Sequence, residues 1–210
     1  MSTVATLQSP GSVGPKKRWT IAEFDRLVID GYLREGSRTY LWDSEIIEPM
    51  PENPPHVNAT MNLLGLLTAR LPVADWTINL DKPLVLREGY KPQPDLTVLN
   101  GPRSKYRSTT PTATDVALLV EVSDTTYADD SGDFLRQYAA AGIPQYWVVN
   151  ITGRRVEVYA FASLKDDGSS IYTVRQDYGL EESVPLNITL RGESLRFEEV
   201  RVIEIPRDSI

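Results

Sequence analysis

The chain has 210 residues, 41% of them hydrophobic and 24% charged, with a net charge of −7, one histidine and no cysteine. Such a length can bury one sizeable core, so a single globular domain is expected. Disulfides, thiolate metal sites and any site needing two histidines are excluded. The negative balance argues against coating nucleic acid by bulk attraction, which is mostly phosphate neutralisation. It leaves room for a local basic patch, or for a metal that bridges acids to a phosphate. No apolar run approaches the roughly 18 residues that span a bilayer. The N-terminus lacks the basic-then-apolar order of a signal peptide, so a cytoplasmic protein is expected.

Residues 1–17 read as a disordered tail. The first fifteen are rich in Ser, Thr, Gly and Pro without periodicity, and Lys16, Lys17 and Arg18 then form a charge run expected to be solvated. Thr20 and Glu23 match a capping box, and Ile21, Phe24, Leu27, Val28 and Leu33 continue at helical spacing, which predicts a helix over 20–33. Residues 38–50 read as a hairpin turning at Asp43-Ser44. Four prolines follow, and a second helix is expected over 55–71, with Pro55 in its first turn. His56 stands at the head of that helix, either as a capping or packing residue or as a functional one. Short strands are expected at 76–80 and 84–86.

The stretch from Pro92 to Asn150 organises the rest. It holds three apolar runs, with Asp95 opening the first and Glu121 closing the second. Val- and Leu-rich runs bounded by Pro, Gly and Ser read as buried strands. Burying a carboxylate costs several kcal/mol unless something compensates it. Two acids at the edges of neighbouring strands are therefore costly unless they share a cation. The alternative is that each caps a helix or pairs with an arginine. Between them, the loop over 101–115 carries Arg103, Lys105 and Arg107 around Tyr106. These cations suit phosphates and the aromatic could stack on a base, or the loop is simply solvated. A short helix over 133–141, stopped by Gly142, leads to the strand at 146–149. A helix that returns the chain to an adjacent strand makes that pair parallel. The alternating segments at 155–161 and 171–175 are expected to form a covering layer and an oligomer surface. Further edge strands are expected at 186–190 and 200–205.

Pro94-Asp95, then Glu121-Val122-Ser123, then Tyr138 followed by Ala-Gly-Ile-Pro-Gln-Tyr-Trp-Val-Val, resemble the Uma-type restriction endonuclease family of the PD-(D/E)XK nuclease superfamily. The resemblance covers residues 18–195, leaving 196–210 as a C-terminal strand or tail. It implies an α+β fold, restriction-endonuclease-like: a mixed central sheet flanked by helices, with extra antiparallel strands and frequent assembly as a homodimer. It further implies that Asp95, Glu121 and the carbonyl of Val122 hold Mg²⁺, with Mn²⁺ as a substitute, for hydrolysis of DNA. Oxygen ligands suit that ion, which lowers the pKa of a bound water and neutralises phosphate charge.

The family's cation departs from its pattern here. Its usual place, two residues after the second acid, holds Ser123. The helix position to which the family's lysine has moved holds Phe134, and Asp130 matches the acid before it. Arg136 projects from another helix face, and Lys91 is a substitute only if the fold brings it near. Two classes of function follow. One is a Mg²⁺-dependent endonuclease using Asp95, Glu121, Ser123 and Asp130. The other is a nuclease-fold protein without turnover, acting as a nucleic-acid-binding or assembly module. A small-molecule- or carbohydrate-binding β-rich domain is a third, which predicts no converging pair of acids.

Overall fold

The computed structural model of the chain describes residues 15–33, 37–179, 182–190 and 193–196. The first helix, α1 (Ile21–Ile29), starts at the expected capping box: the Thr20 hydroxyl accepts the Glu23 N–H and the Glu23 carboxylate accepts the Thr20 N–H. It stops before Leu33, because Gly31 turns into the left-handed region at φ 75°. Strands β1 (Tyr40–Trp42) and β2 (Glu45–Ile47) form the expected hairpin, with Asp43 and Ser44 at φ 46° and 60° in a tight two-residue turn. Helix α2 (Pro54–Thr68) is capped by the Asn53 side chain, which accepts the His56 N–H. Its two leading prolines have no N–H to leave unpaired.

Six strands form the central sheet, in chain order across it: β3 (Trp76–Leu80), β4 (Leu96–Asn100), β5 (Val116–Ser123), β6 (Gln145–Asn150), β7 (Arg155–Leu164) and β8 (Ser170–Gly179). Neighbours are antiparallel except β5 and β6, which run parallel. The crossover between them is helical: α3 (Tyr127–Asp129), a widened π turn (Asp130–Phe134) and α4 (Leu135–Ala140). A separate hairpin pairs β9 (Asn187–Leu190) with β10 (Glu193–Arg196).

Each face of the sheet carries its own core. On one, Leu63 and Leu67 of α2 pack over Leu96, Leu118, Val120 and Trp147. On the other, Tyr138 of α4 and Ile143 pack over Leu99, Leu119, Tyr146, Val148 and Tyr159. Each buried aliphatic side chain contributes about 1.5–3 kcal/mol, so the two layers hold the sheet between them. The architecture is a mixed α+β sheet flanked by helices, as expected. Among the described residues no helix is long and apolar enough to cross a membrane.

Three expectations need correcting. Residues 84–86 are not a strand: the N–H groups of Leu84, Val85 and Leu86 donate to Pro92, Pro111 and Tyr90, three different places. The segments at 155–161 and 171–175 do not cover the sheet but extend it as β7 and β8. The crossover is helical from Tyr127, not from 133, because a π turn lets the acid-rich stretch join the helix. The strand expected at 200–205 lies outside the described residues.

Candidate active site

Strand register brings the two acids together. Leu96 of β4 faces Val120 of β5 in antiparallel pairing, so Asp95 and Glu121 are opposite one another, on one face of the sheet. The ladder gives way there to side-chain bonds. The Val122 N–H donates to Asp95 Oδ2 at 2.7 Å, and the Asp95 N–H donates to Glu121 Oε2 at 3.1 Å. Both acids are buried.

Other elements complete the cavity, of about 410 Å³. The crossover helix aims Tyr138 at the pair, and its hydroxyl donates to Glu121 Oε1 at 2.6 Å. The first turn of α2 brings in His56, whose Nε2 lies 3.1 Å from Asp95 Oδ2 and whose Nδ1 lies 3.4 Å from Glu52. The segment before β1 supplies Arg38. Its Nη2 donates to Asp95 Oδ1 at 2.7 Å and lies 2.8 Å from Asp81, and its Nη1 is paired with Glu52. Six carboxylates line the cavity (Glu52, Asp95, Glu121, Asp124, Asp129 and Asp130), against Arg38 and His56 as the basic groups.

Burial and this imbalance shift the acids in different senses. Burial opposes ionisation of Asp95, but the His56 hydrogen bond and charge, the Val122 N–H and Arg38 together hold its carboxyl below the ordinary range. Among the described residues Glu121 has no cationic partner. Burial, then the charges of Asp95 and Asp130, push it well above the ordinary range despite the Tyr138 bond. Burial is also the first cause for Asp130, which is raised to about 6 although Ser123 and Thr126 donate to it. Burial works to lower the His56 pKa, but Asp95 and Glu52 outweigh it and the imidazole is raised.

The positions singled out in the sequence divide clearly. Asp95, Glu121, Val122, Asp130, His56 and Phe134 all line the one cavity. Ser123 does not: it is fully buried and its hydroxyl donates to Asp130 Oδ2 at 2.5 Å, so it orients that acid from behind. Arg103, Lys105 and Arg107 lie past Asn100, at the far end of β4 from Asp95. Phe134 packs into an aromatic cluster, with ring centroids 4.1 Å from Trp42, 6.0 Å from Tyr138 and 6.4 Å from Tyr40. Neither substitute cation reaches the acids, since Lys91 is buried against Asp25 and Arg136 pairs with Asp133 on the surface. Arg38, Glu52 and Asp81 were missed. Nothing local marks them, as their place depends on how the segments flanking α1, α2 and β3 fold back over the sheet.

Oxygen donors from two opposed strands, with too few positive charges among them, fit a hard divalent cation. A second grouping, Glu52, His56 and Asp95, brings one ligand atom from each residue within 4.8 Å of the others. That nitrogen-containing set suits a borderline transition metal better than Mg²⁺.

Comparison with solved structures gives the fold. The crystal structure described as a "putative nuclease belonging to DUF820" from Anabaena variabilis matches over 79% of this chain and 88% of its own, with a TM-score of 0.52 and 14% identity. The chain therefore has the fold of that nuclease-class protein. The model of the Uma2 family, described as "Putative restriction endonuclease", matches residues 21–192, and the chain belongs to this family. No curated protein matches it.

Proposed function

We propose that the chain is a metal-dependent endonuclease that hydrolyses phosphodiester bonds in DNA at the cavity between β4, β5 and α2. The observation that supports this most is the pair Asp95 and Glu121, facing one another on adjacent strands; burial and neighbouring acids push the Glu121 carboxyl up, while His56, the Val122 N–H and Arg38 outweigh burial and hold Asp95 down. Asp95, Glu121 and the Val122 carbonyl would hold Mg²⁺ or Mn²⁺, which supplies Lewis-acid polarisation of phosphate and an acidified water when bound. The chain's own groups then have defined tasks. The Tyr138 hydroxyl and the Val122 N–H fix the two carboxylates in orientation. Arg38 is the cavity's guanidinium, suited to the phosphate oxygens once Asp95 has another counter-charge. His56, which lines the cavity beside Asp95, would be the group available to pass a proton to a leaving oxygen. On the family resemblance, the working unit is a homodimer, which light scattering would read directly.

Calorimetry tests the reading. Mg²⁺ or Mn²⁺ titrated into the wild type should bind, and binding should be lost or weakened at least tenfold in Asp95→Ala. Equal binding by both proteins would remove the acid pair as a metal site.

Phe134 supports a second reading, a nuclease fold without turnover. An aromatic side chain embedded against Trp42 can neither carry charge nor donate a hydrogen bond where the family resemblance expects lysine. Nicking of supercoiled plasmid with Mn²⁺ separates the two. Metal-dependent nicking abolished by Glu121→Ala supports the enzyme. No nicking by the wild type, with nicking gained by Phe134→Lys, supports the inactive module.

A further inference from the structure

A second cavity, of about 530 Å³, runs beside the edge strand β3 on the face away from α2. Thr77 and Asn79 of β3 form one side, continued by Lys82 and Pro83. Arg103, Ser104, Tyr106, Arg107, Thr110 and Pro111 form the other. No carboxylate lines it, in a chain whose net charge is −7. Lys82, Arg103 and Arg107 are exposed, and among the described residues none of them makes an ion pair or side-chain hydrogen bond. By contrast, most cations elsewhere, such as Arg18, Arg38 and Arg155, are matched to acids. Three unmatched cations interleaved with hydroxyl and amide groups make a concave, anion-seeking wall.

The place of this wall carries the argument further. Asp81, the residue before Lys82, is ion-paired to Arg38 in the acidic cavity. The wall therefore has its Lys82 end one residue from the acid that pairs with Arg38, and follows β3 from there to the Arg103 turn. Five residues of strand cover about 16 Å, on the order of five steps of a duplex strand at 3.4 Å each. Lys105 is not part of the wall, because its ammonium is held by Asp115 at 2.7 Å and lies over the Tyr106 ring. The Tyr106 hydroxyl donates to the Asn100 carbonyl at 2.5 Å. With one face covered and its hydroxyl tied down, that ring is poorly placed to stack on a base.

We infer that Lys82, Arg103 and Arg107 form a binding site for the sugar–phosphate backbone of duplex DNA, leading to the acidic cavity. This rests on the nuclease reading for its biological sense, but not for its chemistry. Contacts of this kind position a duplex without reading its sequence.

Fluorescence anisotropy with a labelled duplex of arbitrary sequence, in EDTA and across a salt series, tests the inference. The triple variant Lys82→Ala/Arg103→Ala/Arg107→Ala should bind at least tenfold more weakly than wild type. The slope of log K against log salt should also fall by about 3, since each neutralised phosphate contributes about 0.9. A control with the same charge change elsewhere, Arg26→Ala/Arg136→Ala/Lys165→Ala, should stay within about twofold of wild type and keep its salt slope. Equal affinity and slope in the wild type and the groove variant would overturn the site. So would a wild type that binds no duplex, or a loss confined to a single-stranded probe. Metal calorimetry on the same proteins judges the acid pair separately. A chain that binds no divalent cation but loses duplex with the groove substitutions keeps this site and refutes the endonuclease.

Discussion

Among the described residues, Arg38 meets more of the site's acids than any other basic group. It faces Asp95, Asp81 and Glu52 together, from a position only about a quarter exposed. Without it, His56 would be the remaining basic group lining the cavity among the described residues, and it meets only Glu52 and Asp95. Arg38→Met should therefore cost about 1–3 kcal/mol of stability, as expected when charged hydrogen bonds to buried groups are removed. A divalent cation should restore more stability to this variant than it adds to the wild type, because the ion replaces the lost charge. Thermal melts with and without Mg²⁺ measure both effects, and identical metal-induced shifts would separate Arg38 from the metal site. Tyr138→Phe removes the hydroxyl donor to Glu121 and leaves a buried oxygen without that partner. The expected loss is about 1–2 kcal/mol in denaturant unfolding, and an unchanged midpoint would mean that Glu121 is satisfied in another way.

Titration gives the acids opposite effects on stability. Asp130 is held at about 6 in the folded chain, above the ordinary value for aspartate. The folded state therefore keeps this proton more tightly than the unfolded one. That contribution is fully present below about pH 4 and is lost as pH rises toward about 6. Asp130→Asn removes it, so the variant's stability should vary less across that window, by about 1–3 kcal/mol. Urea unfolding at pH 4.5 and pH 6.5 on both proteins reads this difference. Asp95 behaves in the reverse sense. Its lowered pKa adds stability above the ordinary carboxylate value, which is lost as pH falls through the folded one.

At the scale of elements, what could be read from the sequence follows how local each signal is. The capping box at Thr20, the Asp43-Ser44 turn and the apolar runs of β3, β4, β5 and β6 are governed by neighbours in the chain, and each forms where its residues predict. The parallel pairing of β5 and β6 followed from a helix joining two buried strands. Residues 84–86 have the same apolar character yet bond to three unrelated partners, and composition carries no trace of that choice. The π turn was hidden for another reason. Asp129, Asp130, Ser131 and Gly132 all favour turns over helix interiors. The site's own bonds hold them helical, since Ser123 and Thr126 donate to Asp130 and the Tyr146 hydroxyl donates to its carbonyl. Asp95 and Glu121 stood out because acids at the ends of apolar runs are anomalous. Arg38 and Glu52 sit in polar segments where a charge is ordinary.

Across the whole molecule, charge is divided between two neighbouring cavities. Six carboxylates gather over the β4–β5 pair, while three cations without an acid partner among the described residues line the β3 edge. On the proposed function, an acidic chain would thus meet a polyanion through one local surface and bring it to the place where the metal would sit. The direct measurement of that account is an anomalous difference map from crystals grown with Mn²⁺. It should show one strong peak between the Asp95 and Glu121 carboxylates, with the Arg38 guanidinium turned away from Asp95. A peak held instead by Glu52 and His56 with Glu121 uninvolved, or no peak at millimolar Mn²⁺, would contradict it.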